Sequence, residues 1–80
     1  MVGRGGDVVI QFGDITARLT HEQVRVMCLV AKGLTYQEIG AELGMSRRTV
    51  QARVCDVQNR LGMESRVEAL LAMRDAGVLA

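Results

Sequence analysis

Hydrophobic positions recur along this chain with two different periods, and the change of period divides it. Near the N-terminus the apolar residues fall in two short runs, Val8-Val9-Ile10-Gln11-Phe12 and Ile15-Thr16-Ala17-Arg18-Leu19, separated only by Gly13-Asp14. Both runs are rich in β-branched residues, and a two-residue connection led by Gly suits a type II′ turn, so the pattern predicts a β-hairpin. An isolated hairpin is marginal in water and needs something to pack on. From Thr20 onward the spacing becomes helical. A Ser or Thr stands three residues before a polar partner at Thr20-x-x-Gln23, Thr35-x-x-Glu38, Ser46-x-x-Thr49 and Ser65-x-x-Glu68, and the runs that follow close on Gly33, Gly44, Gly62 and Gly77. In a full capping box the hydroxyl accepts from a first-turn N–H while Glu or Gln reaches back to the cap; the Ser46 pair is a partial version. Glycine just past a helix end takes the left-handed conformation at little steric cost.

This punctuation predicts helices over about 21–32, about 36–43, about 47–61 and about 66–76. The first carries two apolar stripes, Val26-Met27-Val30 and Val24-Cys28-Ala31. Either one wide stripe serves a single core, or Val24 and Cys28 dock the hairpin. The second offers Ile39 and Leu43, with Gly40 supplying the small residue that a close helix crossing needs. Gly44-Met45-Ser46 then turns the chain in three residues, with Met45 plugging the corner. The third has Val50, Val54, Val57 and Leu61 in one stripe. Successive steps of about 100° therefore place Arg48, Gln51, Ala52, Cys55 and Asn59 on its outward side, with Asp56 on a flank and no carboxylate at the centre. A short helix, a tight turn and a longer helix with an exposed Arg, Thr and Gln end have the spacing of a helix-turn-helix, whose second helix enters the major groove. The competing reading of that face is an ordinary solvated surface. The fourth helix carries more apolar surface than one face needs. Ala69, Leu70 and Met73 can close the core, which leaves Val67 and Leu71 either for a dimer contact or for burial under the hairpin.

Eighty residues with 49% hydrophobic side chains but one Tyr, one Phe and no Trp imply one small domain with an aliphatic core. A chain this size buries only roughly 60–65% of its unfolded surface, which favours supplementation by a partner. The formal net charge is only +1, against the strongly basic balance of many nucleic-acid binders. Its distribution changes that picture: between residues 47 and 66 stand five Arg (47, 48, 53, 60 and 66) against Asp56 and Glu64, a local balance of +3. Cys28 and Cys55 lack the spacing of a metal site, and His21 is the only other soft ligand, so both read as free thiols and no metal or cofactor is expected. Without a long apolar run or a leader-like segment, the chain is expected to be cytoplasmic and to have no membrane partner. One His, no phosphate-binding glycine loop and too little chain to enclose a pocket argue against an enzyme.

The residues resemble a known family, the LuxR-type (GerE-type) helix-turn-helix domain of bacterial transcription regulators. The resemblance covers about Leu19 to Leu79. It is carried by Leu19-Thr20, Ala31-x-Gly33-Leu34-Thr35, Glu38-Ile39-Gly40 with Leu43, Ser46-x-x-Thr49-Val50, Arg60-Leu61-Gly62 and Ser65-Arg66-Val67-Glu68-Ala69. It implies an all-α, four-helix LuxR-type domain over 19–80, preceded over 1–18 by a flexible tail and the small hairpin. It further implies that the helix at about 47–61 reads DNA through Gln51, Ala52 and Cys55, with Thr49 and Asn59 on the same helix. Phosphate contacts are implied for Thr35, Tyr36 and Gln37 and for Arg47, Arg48 and Arg53, and a dimer through the last helix at Val67 and Leu71. Two departures stand out: relatives usually carry Lys where Gln51 stands and often His where Arg53 stands. Losing that Lys shifts phosphate affinity onto the arginines.

The expected function is a sequence-specific, homodimeric regulator binding double-stranded DNA, bacterial or phage in type. With neither a receiver nor a ligand-binding domain, it would be controlled by its abundance or by a partner. The alternative is an interaction module of the same fold that holds another regulator or an RNA polymerase subunit. Gln51, Cys55 and the low net charge favour that alternative; Arg47, Arg48 and Arg53 favour DNA.

Overall fold

A computed structural model describes residues 7–79. The tail expected at residues 1–6 lies outside the described residues. Strands β1 (Asp7–Phe12) and β2 (Ile15–Thr20) form an antiparallel hairpin, followed by helices α1 (His21–Ala31), α2 (Tyr36–Leu43), α3 (Arg47–Leu61) and α4 (Arg66–Asp75). The register runs from Asp7↔Thr20 to Phe12↔Ile15, so Gly13-Asp14 is the whole connection. Gly13 has φ 60° and no non-glycine residue among those described has positive φ, the dihedral signature of the II′ turn expected from the sequence.

The hairpin alternates as a half-buried sheet should. Ile10, Ala17 and Leu19 point inward and are buried, whereas Val9, Gln11, Thr16 and Arg18 are exposed. Those three inward residues belong to the same cluster as Val26 and Met27 of α1, Ile39 of α2, Val50, Val54, Val57 and Leu61 of α3, and Ala69 and Met73 of α4. There is thus one core and not two, and Val24 joins it as a partly buried neighbour. On α1, Val26 and Met27 are buried, Val24 and Cys28 half-buried and Ala31 exposed, so of the second stripe only Val24 packs on this core. Because β2 runs into α1 without a break, the hairpin is continuous with the helical body.

Two details of the sequence reading shift. On α4 the inward face is Ala69, Ala72 and Met73, with Leu70 only half-buried. Positions i, i+3 and i+4 share a face and i+1 lies about 100° round from it, so Ala72 takes the place expected for Leu70. Gly40 is small for a reason other than a helix crossing. A Cβ there would strike the backbone carbonyl oxygen of Met45. The turn folds back so tightly that Met45 N–H donates to the Gly40 carbonyl at 2.9 Å.

Capping follows the sequence closely. Thr20 and Thr35 form full capping boxes with Gln23 and Glu38. Ser46 accepts from Thr49 N–H, and its own hydroxyl donates to the Thr49 hydroxyl at 3.0 Å. Ser65 accepts from Glu68 N–H, but the Glu68 carboxylate takes the Glu64 N–H at 3.1 Å in place of the cap's own. The fourth box is therefore displaced by one residue. Among the described residues no helix is long and apolar enough to cross a membrane.

Candidate nucleic-acid interface

The candidate interface starts at the turn. Leu43 ends α2 and Arg47 begins α3, with Gly44-Met45-Ser46 between. Burying Val50, Val54, Val57 and Leu61 fixes the roll of α3 about its own axis, since each buried aliphatic side chain stabilises by roughly 1.5–3 kcal/mol. That roll leaves Arg48, Gln51, Ala52, Cys55 and Asn59 exposed together, as the sequence predicts, and Arg47 exposed beside them. Thr49 is half-buried, with its hydroxyl held by Ser46. Cys55 on this face and half-buried Cys28 are both free thiols.

The arginines expected to act together are not equivalent. Arg53 is half-buried, and its Nε donates to Glu22 Oε1 at the start of α1, at 2.6 Å. Arg60 pairs with Asp56 at 3.5 Å and donates to the Arg18 carbonyl of β2 at 3.3 Å. Arg47, Arg48 and Arg66 take part in no ion pair among the described residues. Of the cations without an ion pair among the described residues, these three stand at the N-terminal ends of α3 and α4, whereas Arg25, Lys32 and Arg74 lie elsewhere.

Thr35, Tyr36 and Gln37 sit at the start of α2 and line an open cleft of about 730 Å³, together with Arg47 and Arg66. Thr35 is committed to its cap: its N–H donates to Glu38 at 2.8 Å and its hydroxyl oxygen accepts from Glu38 N–H. The N–H groups of Tyr36 and Gln37 belong to the first turn, where no intrahelical acceptor exists. Arg66 donates to the Tyr36 hydroxyl at 3.0 Å, and its guanidinium carbon lies 5.5 Å from the ring centroid.

A second arrangement supports α3 from behind. Gln23 is buried; its amide oxygen accepts from Thr20 N–H at 2.8 Å, and its amide nitrogen donates to Asp56 at 2.6 Å. Asp56 leads on to Arg60, and Arg60 to the β2 backbone. One buried amide thus ties the start of α1 to the flank of α3, and the hairpin is tied to the same helix. Sequence reading missed most of this. The i, i+4 spacing of Asp56 and Arg60 is visible in the chain, but nothing local marks Gln23 as more than a cap, or pairs Arg53 with Glu22 and Arg66 with Tyr36. On α4, Val67 is 58% and Leu71 48% exposed, so the hairpin does not cover that strip.

A short helix, a three-residue turn and a second helix with its outer face free, held on one core by a helix before and a helix after, define a helix-turn-helix domain. Residues 17–73 match the family described as GerE, bacterial regulatory proteins, luxR family. That match covers more than half of the chain, and the chain belongs to this family. It is 40% identical over 62 residues to the transcriptional regulatory protein YdfI of Bacillus subtilis, covering 78% of this chain and 29% of that protein. It is 36% identical over 61 residues to the transcriptional regulatory protein ComA of the same organism, covering 76% of this chain and 28% of that one. The chain therefore spans less than a third of the length of these relatives. A solved structure of the transcription factor GerE superposes with a TM-score of 0.75 over 78% of this chain and 92% of that one, at 24% identity, which speaks for the fold.

Proposed function

We propose that this domain binds double-stranded DNA as the recognition module of a transcription regulator, with α3 in the major groove. The observation that carries the reading is the outward face of α3. It is exposed over about four turns, has no carboxylate at its centre, and is headed by Arg47 and Arg48, which are free of ion pairs. Gln51 has the donor–acceptor pair that matches adenine, and Ala52 the small apolar surface that fits a thymine methyl. Cys55 and Asn59 extend the contact toward the C-terminal half. Arg47 and Arg48, with the α2 start at Thr35, Tyr36 and Gln37, take phosphates. The relatives' names, transcriptional regulatory proteins, agree with this reading.

The same reading makes the domain a homodimer through α4. Val67 and Leu71 are large exposed apolar side chains, and they flank a shallow depression lined also by Ala31, Leu70 and Leu79. In such a pair each copy offers one recognition helix, for two half-sites about one helical turn apart, roughly 34–36 Å. The test is titration of fluorescently labelled mixed-sequence duplex at several salt concentrations, read by anisotropy. Affinity falling steeply with salt, with a log–log slope of about −0.9 per phosphate neutralised, supports the reading. No binding at low salt turns it toward a module that holds a protein partner.

A further inference from the structure

The cleft in front of α2 holds an arginine that the helix-turn-helix itself does not supply. Arg66 opens α4, twenty residues or so beyond the turn in sequence, yet it lines the same cleft as Arg47, Thr35, Tyr36 and Gln37. Three observations make it available to a ligand in a fixed orientation. It has no carboxylate partner among the described residues, unlike Arg53 and Arg60. It is oriented by two contacts with one side chain, a hydrogen bond to the Tyr36 hydroxyl at 3.0 Å and a cation–π contact with its guanidinium carbon 5.5 Å from the ring centroid. And it remains exposed, so the donors not used by Tyr36 are available. A guanidinium has five N–H donors in a fixed fork that fits a phosphate, and only one of its nitrogens is engaged by the tyrosine.

We propose that Arg66 and Arg47 form a two-arginine clamp on one DNA strand's phosphates, with Tyr36 as the post that holds Arg66 in place. The clamp extends the interface from the helix-turn-helix onto the first residue of α4. It rests on the DNA-binding reading above and adds a specific residue to it. The strand held here runs along the mouth of the cleft while α3 lies in the groove beside it. Arg66 carries no sequence information in this role; it fixes register and orientation. Tyr36 is a positioning residue, because its hydroxyl is directed at the guanidinium.

The experiment is the same salt titration, run in parallel on the wild-type chain, Arg66→Ala, Arg66→Lys, Tyr36→Phe and, as control, Lys32→Ala at the exposed C-terminal end of α1. For Arg66→Ala the slope becomes shallower by about 0.9, so the affinity lost between roughly 50 and 200 mM salt is about threefold to fourfold smaller than in wild type. Arg66→Lys keeps the slope, since the charge remains, but binds more weakly at every salt concentration because the fork is gone. Tyr36→Phe keeps the ring and the charge, so its slope is preserved and its affinity falls. Lys32→Ala matches wild type. Thermal unfolding of each variant identifies any loss that is only structural: a strut-like Arg66 lowers the melting temperature of Arg66→Ala but leaves the slope intact. If the wild type binds with a steep slope and Arg66→Ala has the same slope and affinity, the clamp is wrong and the DNA-binding reading stands. A slope lowered equally by Lys32→Ala also overturns the clamp, because it reduces the effect to net charge. If the wild type shows no salt-dependent binding, the underlying reading fails and the clamp fails with it.

Discussion

Replacing Gln23 with Ala separates the buried amide from the rest of the scaffold behind α3, and its cost can be assembled from the contacts. The Thr20 N–H loses its acceptor at 2.8 Å; Thr20 is exposed, so water substitutes and the loss is about 0.5–1 kcal/mol. The amide donor to Asp56 at 2.6 Å disappears. A hydrogen bond to a charged acceptor contributes about 1.5–3 kcal/mol, and the 49% exposure of the Asp56 side chain places this one near the lower figure. Losing the buried stem adds some packing loss, so Gln23→Ala should destabilise by about 2–3 kcal/mol. Gln23→Glu isolates the second contribution, because a carboxylate still accepts from Thr20 N–H but cannot donate to Asp56 and repels it. Its cost is about 2 kcal/mol. Asp56→Asn keeps an acceptor facing Gln23 and gives up only an exposed pair with Arg60, so it costs about 1 kcal/mol or less. Urea unfolding by circular dichroism measures all three. With a slope of about 1 kcal/mol per molar urea, Gln23→Ala lowers the midpoint by about 2–3 M. A midpoint within about 0.5 M of wild type, or a Gln23→Glu variant as stable as wild type, would refute the claim that this amide ties α1 to α3.

Gly40→Ala must displace the Met45 carbonyl, and overpacking of this kind costs about 1–3 kcal/mol, read as a fall in melting temperature of roughly 4–8 °C per kcal/mol. Leu71→Glu should convert the proposed α4 dimer to a folded monomer, with sedimentation reporting the mass and circular dichroism the retained helix; a wild type that sediments as a monomer defeats the dimer reading. Glu22→Ala releases Arg53, so DNA affinity should rise at low salt while stability changes by under about 1 kcal/mol. Conversely, Arg53→Ala should flatten the salt dependence less than Arg48→Ala does, and equal effects would mean that Glu22 does not restrain Arg53.

Much of the fold was legible because its signals are local. Caps sit within three residues of their partners, glycines sit at the residue that needs them, and the hairpin connection is complete in Gly13-Asp14, so each helix began where its cap predicted and ended within a residue of the estimate. The outward face of α3 was legible for the same reason: four aliphatic residues in register fix the roll of the helix, and everything opposite them follows. What stayed hidden depends on contacts between residues far apart in the chain. Gln23 meets Asp56 across 33 positions, Arg53 meets Glu22 across 31, and Arg66 meets Tyr36 across 30. No periodicity encodes such meetings; they exist only after the core has closed. The face of α4 was misjudged by one residue because Ala72 and Leu70 are both apolar, and only packing decides which of them turns inward.

Those long-range contacts also explain how a chain with a net charge of +1 can present a basic edge. A formal count gives every carboxylate equal weight, but the fold does not. Glu22 is spent on Arg53, and Asp56 on Gln23 and Arg60. Glu38 and Glu68 turn back to accept backbone N–H groups at the starts of α2 and α4, where helix geometry favours negative charge. Each of these carboxylates is fixed in place by a donor of the scaffold, so none is free to swing toward Arg47, Arg48 or Arg66. Field at a surface depends on the position of charges within about a Debye length, roughly 8–10 Å, more than on their sum. A domain that anchors four of its nine carboxylates to the scaffold and leaves Arg47, Arg48 and Arg66 without ion pairs among the described residues therefore carries local positive charge that its net charge does not convey. Glu22 is the exception that can be tuned, because it restrains a cation on the flank of α3. The salt dependence of Glu22→Ala relative to wild type thus measures how far the fold itself has restrained its own basic face.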